Sequence, residues 1–304
     1  MTKTTTQAIK VTTVNTTLDS NSWATIKAVS DAGKGDNYWD VGDTRNIVIN
    51  GNVGESVYKN ITIAAFIIGF NHNSIIEGNN KIHFQIGKIS NKLIGLCDGR
   101  YGSSVSGSGY FSMNTYRTNA GGWNDSYMRK TLLGNSGTPS SPPSNSLLAA
   151  ISADLRAVMK DVRKFTDNTG GGADHVSYVT GTTDYLFLLA EFEYHGSRTY
   201  ANSAEKNYQK QYDYYKAGNS KVHNRFETRN RLSMRGPVPP VPAATIISAC
   251  QHGRHAQRRH RGLFMGAGPW LCRLIAAAYP ASIPSRGSGR DKAAGVFAKT
   301  PKPG

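Results

Sequence analysis

Five consecutive apolar residues, Tyr185-Leu186-Phe187-Leu188-Leu189, do most to limit what this chain can fold into. The run is too short to cross a membrane and too uniformly apolar for a surface element, so it predicts a strand buried on both faces. Ala190-Glu191-Phe192-Glu193 behind it reads as a helix start, with Glu193 three residues after the cap position. Asp184, Glu191 and Glu193 raise the idea of paired carboxylates. A strand start and the first turn of a helix are nevertheless ordinary structural places for such groups, the second favoured by the helix dipole.

The rest of the body divides into short helices and strands. Trp23, Ile26 and Val29 recur at helical spacing, with Ser22 as N-cap and Gly33 as the stop. Ile47-Val48-Ile49 reads as a strand ending in the tight-turn pair Asn50-Gly51. Ile61 to Ile68 is apolar on both faces. Ile82, Phe84 and Ile86 alternate with His83 and Gln85, which predicts one buried and one wet face. Leu93 to Cys97 follows at hairpin distance, and Gly99 to Gly122 is rich in Gly, Ser, Asn and Tyr, as long surface loops are. Asp125 to Leu133 reads as a helix stopped by Gly134-Asn135, and Pro139, Pro142 and Pro143 extend the linker after it. Ser146 caps a helical region whose apolar face is Leu147, Leu148, Ile151, Leu155, Val158 and Met159. Ser203 caps a last helix carrying Tyr208 and Tyr212 one turn apart, near Tyr215, and ending at Gly218. Helices mixed with antiparallel strands point to an α+β domain.

A net charge of +16 suggests nucleic acid or an acidic surface as partner until the charge is located. Residues 1–224 hold 22 Lys and Arg against 18 Asp and Glu, a net of +4; residues 225–304 hold 14 against 2, a net of +12. Nine of twelve prolines follow Asn224, whereas fourteen of fifteen tyrosines precede or lie within the first 224 residues. The expected organisation is a polar Thr-rich lead-in (1–17), a body (18–224) and a basic Pro/Arg/Ala-rich tail (225–304). Nothing in the first residues resembles a secretory signal, and no window is long enough for a membrane span. The expected location is therefore the cytoplasm or a virion.

Chemistry-bearing residues form no catalytic constellation. Cys250, His252, His255, His260 and Cys272 are zinc-ligand types, but their spacing matches no closed site, so neither a metal nor any other cofactor is expected. Arg254, Arg258, Arg259 and Arg261 would attract phosphate backbones without specificity. His72, His83, His175, His195 and His223 are scattered and read as surface or hydrogen-bonded residues. Gly170-Gly171-Gly172 lacks the strand and helix that flank a phosphate cradle. The loops from 101 to 124 supply the candidate ligand-contacting residues Tyr101, Tyr110, Asn114, Tyr116 and Asn119, because tyrosine gives contact area at low entropic cost and asparagine adapts its hydrogen bonds. Trp123, beside a helix start, reads as an anchor of those loops to the body.

Two segments resemble a bacterial and prophage family of unknown function. The first is Gly121-Gly122-Trp123 with Ser126, Met128-Arg129 and Leu132-Leu133-Gly134-Asn135; the second is Asp184-Tyr185-Leu186-Phe187-Leu188-Leu189 with Glu193 and Gly196. Where the family carries a serine cap this chain has Ala190, a loss worth about 1 kcal/mol. The resemblance covers about Leu18 to Asn224 and makes Trp123, Arg129, Asp184 and Glu193 motif residues. It implies a C-type-lectin-like fold, shared with formylglycine-generating enzymes and with variable proteins diversified by retroelements, in which the end of the chain returns to complete the central sheet.

The closing motifs of that family are absent from residues 225–304 as written, yet other reading frames permit them. Met265-Gly266 forces a tryptophan when the frame advances by one base, and Trp270-Leu271 forces a glycine. The expectation is that the tail is out of frame, lacks a packed core and leaves the sheet open. The implied function is non-enzymatic recognition of a surface glycan or protein, impaired by loss of the closing strands. The alternatives are a nucleic-acid binder working through its basic tail and a cysteine-dependent enzyme. Cys97, the only cysteine of the body, reads as a buried apolar residue.

Overall fold

The computed structural model describes residues 13–54, 56–95, 113–115, 118, 120–170 and 174–225. The expectations for the first twelve residues, Cys97, Tyr101, Tyr110, Tyr116, Asn119, Gly171-Gly172 and the tail from 226 onward lie outside these residues. What is described is α+β, as expected from the sequence. No helix among the described residues is long and apolar enough to cross a membrane.

The first helix forms where its signals lie. Ser22 Oγ accepts the Thr25 N–H (3.0 Å) at the start of α1 (Trp23–Asp31), and Trp23, Ile26 and Val29 are buried. Gly33 takes φ +66°, which lets the Lys34 N–H return to Val29 O (3.1 Å) and close the helix end.

Five strands make the main sheet: β1 (Thr44–Val53), β2 (Ser56–Phe70), β3 (Ile82–Ile89), β4 (Lys92–Gly95) and β7 (Asn224–Arg225), in the order β1-β2-β3-β4-β7. Pairing is antiparallel as far as β4, and β7 runs parallel to β4. A separate hairpin pairs β5 (Val162–Asp167) with β6 (Val179–Asp184). The short turn α2 (Ser74–Glu77) joins β2 to β3.

The strand buried on both faces is β2. Ile63, Ala65 and Ile67 face the larger core with α1, while Phe66 and Ile68 face a smaller, tyrosine-rich core with Tyr194, Tyr212, Tyr214 and Tyr215. Tyr185–Leu189, also expected to be a strand buried on both faces, is irregular and half-buried. β5 begins at Val162, opposite Asp184, so the hairpin ladder stops there and, among the described residues, no strand continues beside the run. Asn135 replaces the missing partner, accepting the Tyr185 N–H (2.9 Å) and donating to Leu186 O (2.6 Å). The run is apolar throughout because it lies between the cores: Leu186 and Leu188 pack on the larger, Leu189 on the smaller and Phe187 on both. Asp184 accordingly ends a strand instead of starting one.

Other local signals gave way to tertiary contacts. Asn50-Gly51 is no turn; the register of β1 slips between Ile49 and Gly51, and the chain reverses between Val53 and Ser56. Gly51 takes φ +141°, a backbone conformation that side chains rarely adopt, and lies against Ala150. The helix expected after Ser146 splits into two single turns, α4 (Leu147–Ala150) and α5 (Ala153–Arg156). Ser146 caps the first as expected, its Oγ accepting from the Ala149 N–H (3.2 Å), but Ile151 is extended and bridges to Ile49 of β1. The helix expected at Asp125–Leu133 is shortened to a π turn, Met128–Leu132, separated by an extended Ser126 from a preceding turn, α3 (Gly122–Asp125). Pro139 sits in a tight turn bridged by Thr138 and Ser141, so the linker is not simply extended. α6 (Glu191–His195) starts at Ala190 as expected. Near the end, Asn202 caps a 3-10 turn, Ser203–Asn207, in place of Ser203, and α7 is only Asp213–Lys216. Tyr208 and Tyr212 therefore do not share a helix: Tyr208 stacks on Phe165 and Tyr212 on His72.

The wet face expected for β3 is also absent. His83 is 4% exposed, because Tyr212 and its neighbours pack over it.

Candidate functional site

Two buried polar centres tie the described elements together, and the first of them also holds the stem of the candidate binding loops. The first is built on Asp184, which is fully buried. Its Oδ2 accepts from Trp123 Nε1 (2.8 Å) and Thr182 Oγ1 (2.7 Å), and its Oδ1 accepts from Arg129 Nε (2.6 Å). Arg129 also donates to Thr183 O and Asn124 O (both 3.2 Å), so the guanidinium ties the π turn to β6 and α3 together. Gly122 (φ +53°) passes so near Asp167 O that no Cβ fits, which brings Trp123 down onto the hairpin. Three of the four motif residues thus converge as one clamp.

The loop residue Asn114 belongs to this base. Its Oδ1 accepts the Tyr127 N–H (3.1 Å) and its Nδ2 donates to Thr118 O (2.8 Å), while Met113 O accepts the Met128 N–H (3.1 Å). Asn114 is half-buried and engaged at both ends, so it positions the loop stem; it does not present a free amide.

The fourth motif residue, Glu193, lies in the second centre. Lys164 of β5, with Val162 and Thr166 on the inward face of that strand, reaches between Glu77 of α2 and Glu193 of α6. Its ammonium donates to Glu77 Oε1 (2.6 Å) and contacts Glu193 Oε1, with the Phe187 ring 4.3 Å away. Glu193 Oε2 accepts the Ala190 N–H (2.9 Å), half of a capping box that alanine cannot complete. His72 stacks on Tyr212, with ring centroids 3.6 Å apart, and His83 Nδ1 meets the Tyr212 hydroxyl (3.0 Å).

Burial dominates the electrostatics of this centre. It pushes the Glu77 carboxyl up to about 7 against the pull of Lys164. It pushes His72 down to about 4 and His83 well below the usual histidine range, so both rings are neutral near pH 7. Burial also works against the Lys164 ammonium, but the two carboxylates overcome it and raise its pKa. Glu77 Oε2, His72 Nε2 and His83 Nε2 are buried without a hydrogen-bond partner, and Glu77 Oε2 lies 3.8 Å from His83 Nε2.

His72, Glu77 and Glu193 are metal-ligand types with donor atoms within 4.8 Å of one another. Both carboxylates, however, already hold the Lys164 ammonium, a cation supplied by the chain itself. Glu191 is fully committed as well: its carboxylate accepts the N–H groups of Thr199 (2.6 Å), Tyr200 (2.9 Å) and Ala201 (2.7 Å). His175 is exposed, and His223 Nε2 bonds the Gln85 amide (2.9 Å).

Sequence reasoning missed Lys164, Glu77 and the burial of His83. The available signal was a lysine in the inward phase of the alternation Val162, Lys164, Thr166, a place a lysine occupies only when paired. Comparisons with protein-family models, with curated proteins and with solved structures found no match for this chain.

Proposed function

We propose that residues 18–224 form a non-enzymatic surface-recognition domain with C-type-lectin-like organisation, of phage or bacterial type, whose ligand is a surface glycan or a protein. One observation carries this reading. The stem of the Tyr-, Asn- and Ser-rich segment is fixed to the buried core through Asn114 and through the Trp123–Asp184–Arg129 clamp. Recognition residues typically sit on loops held by a rigid scaffold, and this clamp is such a scaffold. In the same reading residues 225–304 are out of frame. Asn224–Arg225, parallel to Ile94–Gly95, is then the place where a restored chain would extend the sheet, and recognition by the present chain is weakened.

The test is binding to a glycan array and to bacterial cell-envelope preparations. It compares this chain, a frame-restored version and a Tyr101/Tyr110/Tyr116→Ala variant of each. The restored chain is expected to bind more tightly, and the tyrosine variants to lose at least about tenfold in affinity with unchanged thermal unfolding. Tyrosine variants that bind as well as their parents, or a restored chain that binds nothing on either surface, would overturn the reading.

A further inference from the structure

We infer that the Lys164 centre is the site of an autocatalytic cross-link, an amide bond between Lys164 Nζ and Glu193 Cδ that staples β5 to α6. This inference is independent of the ligand reading above. A primary amine, a carboxyl group in contact with it and a second carboxyl group at 2.6 Å are held together in a sealed interior. Those are the nucleophile, the electrophile and the proton carrier that amide formation requires.

The roles of the two carboxyls follow from their surroundings. Glu193 stands at the first turn of α6, and its Oε2 already accepts the Ala190 N–H (2.9 Å). That donor is placed where negative charge gathers on the retained oxygen when Cδ becomes tetrahedral. Glu77 has no such fixed donor; its Oε1 faces the amine, and its Oε2 is unpartnered beside His83 Nε2. Burial favours its protonated form, so it can give one proton and take another.

The step balances. An ammonium proton of Lys164 passes to Glu193 Oε1, leaving an amine and a carboxylic acid. The Nζ lone pair attacks Cδ, forming the C–N bond, while Glu77 Oε1 takes the second Nζ proton and the Glu77 acid proton goes to the Oε1 hydroxyl. The Cδ–Oε1 bond then breaks and water leaves. An ammonium and a carboxylate become an amide and one water, Glu77 ends as it began, and nothing is oxidised or reduced. Two features favour the forward direction. Residues 29 apart in sequence are already in contact, which replaces a bimolecular encounter. Phe187 and Tyr212 also flank the amine and limit the return of water.

The experiment is the intact mass of the full chain, followed during incubation after purification, with sequencing of proteolytic fragments. The expected result is a species lighter by one water, and a branched fragment joining the Lys164 and Glu193 peptides. Lys164→Arg keeps the cation and should never lose water; Glu77→Gln keeps the packing and should form the bond about 100-fold more slowly. A folded parent chain that stays at full mass throughout overturns the proposal. So does a mass deficit that persists in Lys164→Arg.

Discussion

The Asp184 and Lys164 centres are built from the same materials, a buried carboxylate facing a cation, half-buried in the first and buried in the second, and they differ in completeness. Around Asp184 each oxygen has a donor, and the guanidinium gives two further N–H groups to backbone carbonyls. Around Lys164 two carboxylates share one ammonium, and three nearby polar atoms have no partner. A completed network fixes geometry. An incomplete one retains groups able to react or to exchange protons. The first centre accordingly holds the stem of the candidate recognition loops, and the second is the place for chemistry.

The comparison predicts unequal costs. Lys164→Met removes the cation that bridges the Glu77 and Glu193 carboxylates and should destabilise by about 4 kcal/mol, as expected when a buried ion pair loses one partner. Asp184→Asn keeps an acceptor for Trp123 but weakens the bond to Arg129, and should cost about 2 kcal/mol. Urea unfolding measures both, and equal losses would break the contrast.

Proton exchange sharpens it. Glu77 holds its proton to about pH 7 in the folded state, above its ordinary value of 4.5, so the folded chain binds the extra proton between those limits. Its contribution therefore destabilises progressively as pH rises from about 4.5 to 7. His72 and His223, pushed down to about 4, and His83, lower still, act in the opposite sense: they lose stability as pH falls below 6.5. The overall profile should rise towards pH 6.5 because the histidines outnumber the carboxyl. The Glu77 part appears as a difference. Glu77→Gln should gain in melting temperature relative to the parent as pH goes from 5 to 7, with no further gain above. A constant difference across that window would mean that Glu77 is ionised throughout.

The smallest effect concerns the half-made capping box. Ala190→Ser would supply the acceptor that the Glu193 backbone N–H lacks and should stabilise by about 1 kcal/mol. If cross-linking depends on the Ala190 N–H and not on the cap, the variant changes stability and leaves the rate of water loss alone, as the same mass measurement would report.

Much of this molecule could be read locally. The α+β class, α1 with its Ser22 cap and Gly33 stop, and the Ile61–Ile68 part of β2 all follow from signals within a few residues of one another. The chain's own sequence determined them because capping, periodicity and glycine backbone freedom act over one or two turns. Tertiary structure decided the rest. Asn50-Gly51 lies inside the strand pairing as a register shift, with Gly51 at φ +141°, and Ile151 is extended where it bridges to Ile49. Tyr185–Leu189 was recognised as apolar on all sides but stayed irregular, since the β5–β6 ladder stops at Val162–Asp184 and Asn135 supplies the hydrogen bonds beyond it. The Lys164 centre was hidden for the same reason: Glu77, Lys164 and Glu193 lie on three separate elements, and a buried charge becomes intelligible only once its partners are folded against it.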